Sequence, residues 1–163
     1  LTNKVNLVYL FSMADGIDMD QPTARIILRI FRAFEARVVM AIHAAGFTDI
    51  SAFHIHVLRH LDPEGLALGV LARDANMSKQ AVSKCIRDMA KKSYVSVRVD
   101  TGDARVKLVG YTRKGTRMMA VAVAAVMAEE KRYLSTLGEY RYRQLRRSLQ
   151  QIQEIYSDGS GDA

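Results

Sequence analysis

The hydrophobic period changes from helical to alternating and back within residues 78–115, and few folds accommodate such a stretch. Val82, Ile86 and Met89 recur at helical spacing behind Ser78, which suits an N-cap for a helix reaching about Lys92. The pattern then alternates: Val95, Val97 and Val99 point one way, Ser96 and Arg98 the other. Asp100-Thr101-Gly102-Asp103 is a turn by composition, and residues 105–111 alternate again, with Val106, Leu108 and Gly110 opposite Arg105, Lys107 and Val109. The stretch predicts a helix followed by a cation-rich two-stranded hairpin, and Thr112 caps the helix after it.

The flanks extend this order. Residues 66–75 predict a short extended piece and a short helix, with Asn76-Met77 as a tight connection to the next. Upstream, residues 51–61 form a helix with Phe53, Val57, Leu58 and Leu61 inward. Residues 21–45 form a longer one with Ile27, Ile30, Phe31, Phe34, Val38, Ala41 and Ile42 on its apolar face. Asp20 and Pro22 suit its start and Gly46 its stop. Downstream, residues 113–133 carry Met, Ala and Val on nearly all sides, which predicts burial. In residues 135–156, Tyr142, Leu145, Leu149, Ile152 and Tyr156 are spaced as a heptad-like seam. The expected plan along the chain is an N-terminal extension over 1–20, flanking helical segments over 21–50 and 113–157, a middle region over 51–112, and a flexible tail over 158–163.

Charge singles out the middle of the chain. Residues 73–117 hold twelve Lys or Arg against four Asp or Glu, more than the whole net charge of +7. A localised basic excess fits a polyanion footprint. At 100° per residue, Gln80, Ser83, Lys84, Arg87 and Lys91 collect on the side of their helix opposite Val82, Ile86 and Met89. Cations, an amide and a hydroxyl on one face suit phosphate oxygens and base edges in a major groove. Short helix, tight connection, basic helix and basic hairpin form the order of a winged helix-turn-helix, so the expected fold class is mainly α with a small β-hairpin wing.

With these residues in place, the sequence resembles the MarR family of winged-helix transcription regulators over residues 25–156. The most specific stretch reads Asp100-Thr101-Gly102-Asp103-Ala104-Arg105-Val106-Lys107, the family's D-x-x-D-x-R-x-K wing, followed by Thr112-Arg113-Lys114-Gly115, its Thr-x-x-Gly helix start. Ser78-Lys79-Gln80-Ala81-Val82-Ser83-Lys84 resembles the opening of the family's recognition helix, and Leu68-Gly69-Val70-Leu71-Ala72 the helix before it. Ser93 stands where the family usually has Gly, and Ala104 at a wing-tip position often charged. The resemblance implies a homodimeric, cytoplasmic regulator, commonly a repressor, that binds an inverted-repeat operator in double-stranded DNA. It implies DNA contacts from Ser78, Lys79, Gln80, Ser83, Lys84, Arg87, Arg105 and Lys107, with Arg105 in the minor groove. It makes 51–112 the winged helix-turn-helix DNA-binding region and 21–50 with 113–157 a helical dimerisation region, with Ile27, Phe31, Tyr142, Leu145, Leu149 and Ile152 in the dimer interface. It also implies a small aromatic or acidic effector in a cleft that His43, Phe47, Phe53 and His54 could line.

Other classes find less in the sequence. Hydrophobic residues make up 49% of the 163 and charged residues 25%, which excludes a disordered chain. The longest near-continuous apolar stretch, residues 118–128, falls short of the ~20 residues a membrane span needs. Residues 1–20 suggest no signal peptide. The single Cys85 cannot close an internal disulfide, which suggests a reducing compartment. No phosphate-cradling glycine loop or nucleophile–His–acid motif appears, so neither a catalytic nor a cofactor site is expected. His56 and His60 sit at i, i+4 near His54, but no ligand pattern completes a metal site. Two alternatives remain: a thiol or metal sensor on the same fold, through Cys85 or the His54, His56 and His60 group, and a winged helix that binds RNA or a protein partner.

Overall fold

The computed structural model describes residues 22–62, 64–99 and 106–157. The proposed N-terminal extension, the turn at 100–103, Arg105 and the tail lie outside the described residues. The chain order is α1 (Thr23–Ala44), α2 (Ala52–Leu58), β1 (Leu66–Ala67), α3 (Leu68–Asp74), α4 (Lys79–Lys91), β2 (Val95–Val99), β3 (Lys107–Tyr111) and α5 (Arg113–Ser157).

Local chemistry explains most boundaries. Pro22 itself takes the N-cap position of α1 (φ −59°, ψ 144°), and its carbonyl accepts from the amides of Arg25 and Ile26. The helix thus starts slightly later than an Asp20 cap would place it. Gly46, at φ 92°, ends it as expected. Ser51 caps α2 in a reciprocal capping box with His54. The Ser78 side chain accepts the Ala81 amide at the head of α4.

The wing is a three-stranded sheet rather than a two-stranded hairpin. β1 pairs antiparallel with β3 (Leu66↔Val109, Ala67↔Leu108), and β3 pairs with β2 from Val95↔Tyr111 to Val99↔Lys107. Its inward face also differs from the expected alternation. Val95 and Val109 are buried, whereas Val97 and Val99 are exposed. β2 leaves the body as it runs toward the tip, so its apolar side has nothing to pack on. Val109 points inward because its register opposite Val97 puts it on the face that Val95 turns to the core, nearer the body than the tip.

The core gathers Val38 and Ile42 of α1, Val57 and Leu58 of α2, Leu71 and Ala72 of α3, and Val82, Ile86 and Met89 of α4. Tyr94, Val95 and Val109 close it from the sheet, and Met118 and Ala122 from α5. Thr112 locks the start of α5 to β2. Its hydroxyl donates to the Ser93 carbonyl at 2.6 Å and accepts the Gly115 amide at 3.1 Å. A Cβ at Gly115 would lie 2.0 Å from the Tyr94 carbonyl oxygen, so only glycine fits there. The Thr-x-x-Gly sequence is therefore a packing requirement.

Two expectations for the C-terminal helices change. The separation near residue 134 is absent, because Ser135 and Thr136 turn their hydroxyls back onto the Arg132 carbonyl within a continuing helix. The break falls at Gly138 (φ 72°, ψ 161°), which divides α5 into two arms. The first arm is not buried all round: Met118 and Ala122 are, but Val123 and Met127 are more than half exposed in the single chain.

Candidate nucleic-acid interface

α3, the Asn76-Met77 connection and α4 form a helix-turn-helix, and the sheet follows it. Asn76 supplies the turn with a left-handed residue at φ 51°, a conformation asparagine accepts better than most. Val82, Cys85, Ile86 and Met89 fix the inner side of α4 in the core. That leaves Lys79, Gln80, Lys84, Arg87 and Lys91 exposed and Ser83 half-buried on the outer side, with the capping residue Ser78 exposed beside them. Lys107 is exposed on β3.

The cations of the middle segment divide into two groups. Lys92 donates to Asp88 at 2.7 Å and to the Asp49 carbonyl at 3.1 Å. Lys114 lies 4.0 Å from the centre of the Tyr94 ring and donates to the Lys92 carbonyl at 3.0 Å. The Arg98 guanidinium donates to the Glu64 carbonyl. Those three hold the fold together. Lys79, Lys84, Arg87, Lys91 and Lys107 enter no ion pair among the described residues. Asp88, the one acid of α4, is turned away onto His54 and Lys92, and the Lys92 ammonium holds its carboxyl below the ordinary carboxylate range. The outer face therefore presents uncompensated positive charge.

Ser93 takes the conformation that glycine would take. At φ 61° it makes the left-handed turn from α4 into β2, and its amide reaches back to the Ala90 carbonyl. The departure from the family's usual residue leaves the turn in place at some backbone strain.

A second feature lies between α1, α2 and the first arm of α5. It is a cavity of about 300 Å³. Phe31, Phe34, Val38, Ile55, Met119 and Val126 supply most of its wall, and Glu35, His56 and Arg59 its polar rim. His43, Phe47, Phe53 and His54 do not line it. The His43 Nε2 donates to the Ile50 carbonyl at 2.6 Å, and Phe47 packs edge-on against Tyr94. Phe53 is 45% exposed, and His54 faces Asp88. They lie at the far end of α1 and on a different side of α2. The lining was legible in part: Ala52, Ile55, His56 and Arg59 share one helical stripe, as do Met119, Ala122, Val123 and Val126.

The residues proposed for an interface between copies are apolar and open to solvent in the single chain. Ile27, Phe31, Leu145, Leu149 and Ile152 are 37–43% exposed. Tyr142 is half-buried and donates its hydroxyl to Glu130 across the bend at Gly138.

Neither sensor alternative gains a prepared site. Cys85 is buried, and loss of solvation pushes its thiol up to about 11, away from the reactive thiolate. His56 Nε2 bonds the Ala75 carbonyl, and Arg59 donates to His60 Nε2. Among the described residues no three His, Cys, Asp or Glu side chains gather as a metal-binding group. No described helix is long and apolar enough to cross a membrane.

The architecture is thus a winged helix-turn-helix set between a long leading helix and a long bent trailing one. That is the fold of the MarR-family transcription regulators. The chain matches the crystal structure of a MarR family transcription regulator, SP03579, with a TM-score of 0.70 at 14% identity, over 96% of this chain and 95% of that one. It matches MepR of S. aureus in its DNA complex with a TM-score of 0.69 at 19% identity, over 82% and 97%. A MarR regulator from Methanosarcina mazei gives 0.67 at 17% identity, over 83% and 96%. No protein-family model and no curated protein matches the sequence.

Proposed function

We propose that this chain is a sequence-specific DNA-binding transcription regulator that works as a symmetric homodimer, and that it is not an enzyme. The observation that carries the reading is the outer face of α4. It offers Lys79, Lys84, Arg87 and Lys91 without carboxylate partners among the described residues, beside Gln80 and Ser83, on a helix whose other side is fixed in the core. A rigid helix with free cations and short polar groups is what major-groove reading requires. The solved DNA complex of a protein with the same fold is consistent with it. Arg105 and Lys107 would follow the backbone and minor groove beside it.

Dimerisation would cover the apolar faces left open by the first half of α1 and the second arm of α5. A two-fold dimer would set its two α4 helices about one helical turn, ~34 Å, apart, so the operator would be an inverted repeat. The cavity between α1, α2 and α5 would hold a small, largely apolar effector, with Arg59 the group to meet an acid. Such a molecule acts only through its different affinities for the two helix spacings. Repression by occupancy of a promoter is the simplest output of such a protein.

The test is selection from a random double-stranded pool, followed by a salt titration of the winning duplex. An inverted repeat whose log affinity falls linearly with log salt is the expected result. Equal binding to all duplexes, or preference for single-stranded RNA, would overturn the reading.

A further inference from the structure

The capping box of α2 has an unusual third member. His54 occupies the position that Glu or Gln commonly fills. Its Nδ1 accepts the Ser51 amide at 3.0 Å, so that nitrogen is bare and Nε2 carries the hydrogen. Nε2 faces Asp88 Oδ2 on α4 at 3.1 Å and donates to it. The ring is 13% exposed. One neutral imidazole therefore ties the cap of α2 to α4, at the residue between groove-facing Arg87 and buried Met89.

We propose that His54 is a positioning residue for DNA recognition, holding the face of α4 that carries Gln80, Ser83, Lys84 and Arg87 in register through Asp88. The proposal rests on α4 being the DNA-reading helix.

The tie has a property that a packing contact lacks. A second proton can enter the ring only at Nδ1, where the Ser51 amide already points. Proton uptake turns that acceptor into a donor, so the Ser51 amide loses its partner and the Ser51 hydroxyl, 3.1 Å from Nδ1, is left to take the new hydrogen. The surrounding charges are mixed. Asp88 from α4 and Asp49 from the turn before α2 favour the imidazolium, while Lys92 from α4 opposes it. Burial, then Lys92, hold the imidazole below its ordinary value, so the neutral tie is the form the fold prefers. A histidine with a lowered folded-state pKa binds more protons when unfolded. Its contribution is therefore present above the unfolded value near pH 6.5, and it is lost as pH falls from there through the lower folded-state value.

The experiment compares the full wild-type chain with His54→Asn. An asparagine oxygen can stand in for Nδ1 and keep the cap, but the side chain is too short to reach Asp88. The probes are the duplex selected by the wild-type chain and a random duplex of equal length, read by fluorescence anisotropy from about pH 5.5 to about pH 7.5. At the upper end the variant should bind the selected duplex about tenfold more weakly, with random-duplex affinity unchanged. The wild-type advantage should shrink as pH falls below the ordinary imidazole value, the other three histidines being common to both proteins. An advantage that stays constant with pH, or is absent throughout, would overturn the proposal. If the wild-type chain selects no duplex, the DNA reading fails by itself, and amide exchange then decides the tie. Faster exchange of α4 amides in the variant supports it, and unchanged protection overturns it.

Discussion

The middle of this chain closes a core of its own, and its two ends do not. From α2 to the start of α5 each helix, the residue before β2 and the central strand β3 put a fully buried residue into one cluster: Leu58, Leu71, Met89, Tyr94, Val109 and Met118. The first half of α1 and the second arm of α5 are equally well patterned for burial. Yet Ile27, Ile30, Phe31, Leu145, Leu149 and Ile152 remain 37–52% exposed. The same apolar periodicity serves two ends. Where the chain folds back on itself it makes a core, and where it projects it leaves an apolar face open to solvent. Contiguous exposed apolar faces of that kind commonly mark interaction sites.

The sharpest way to break the contrast is Leu149→Asp. On the outer arm it should leave the fold of the winged unit nearly untouched. In the proposed dimer it buries a carboxylate in each copy, at a cost on the order of 3 kcal/mol or more. Sedimentation should show monomers, with the far-UV circular dichroism of the first arm and winged unit retained. A variant that sediments as a dimer would place the interface elsewhere. In the middle of the chain the converse holds. Gly115→Ala forces a methyl group against the Tyr94 carbonyl, and the start of α5 must shift. About 2–3 kcal/mol of stability should be lost, seen as a lower urea midpoint. An unchanged midpoint would mean that the junction of α5 and β2 is softer than its hydrogen bonds suggest.

A smaller effect separates reading from folding within the middle unit. Arg87→Ala removes an exposed cation that supports nothing in the fold, so stability should hold within about 0.5 kcal/mol. Affinity for the selected duplex should fall by about 1–3 kcal/mol. Should affinity stay level while the fold is intact, Arg87 would be only a solvated charge. Lys92 is the internal control in this argument. It carries the same charge on the same stretch, but it is spent on Asp88 and the Asp49 carbonyl.

These contrasts show what the sequence could and could not convey. Element order, the Ser78 cap and the inner face of α4 were legible, because each rests on a local period or a single capping side chain. The division of cations into structural and free ones was not. It depends on Lys92 and Arg98 reaching the backbone carbonyls of Asp49 and Glu64 on other segments, which no local period encodes. The pairing of β1 with β3 was hidden because a two-residue strand has no period. The bend of α5 was misplaced because Ser135 and Thr136 can either interrupt a helix or bond back into it, and the backbone angle at Gly138 decides. The four residues expected at an effector cleft were chosen for lying on elements that could line one. The cavity follows instead from which helical stripes of α1, α2 and α5 face one another.

Ser93 gives the finest test of the middle unit. It holds a left-handed backbone angle for which a serine is poorly suited, and its amide reaches the Ala90 carbonyl through the main chain alone. The Ser93 carbonyl accepts from Thr112, which also involves only the backbone of residue 93. Ser93→Gly keeps both bonds and removes the Cβ strain, worth about 1–2 kcal/mol in that region. Glycine's freer unfolded chain returns about 0.5–1 kcal/mol of that. The net should be a gain of about 0.5–1 kcal/mol, read as a rise in the urea midpoint with an unchanged slope. DNA affinity should not change, because the turn already has the angle that glycine would adopt. A loss of stability would show that the serine side chain supports the junction of α4 and β2. A change in affinity at equal stability would show that the stiffness of this turn helps to hold the wing against α4.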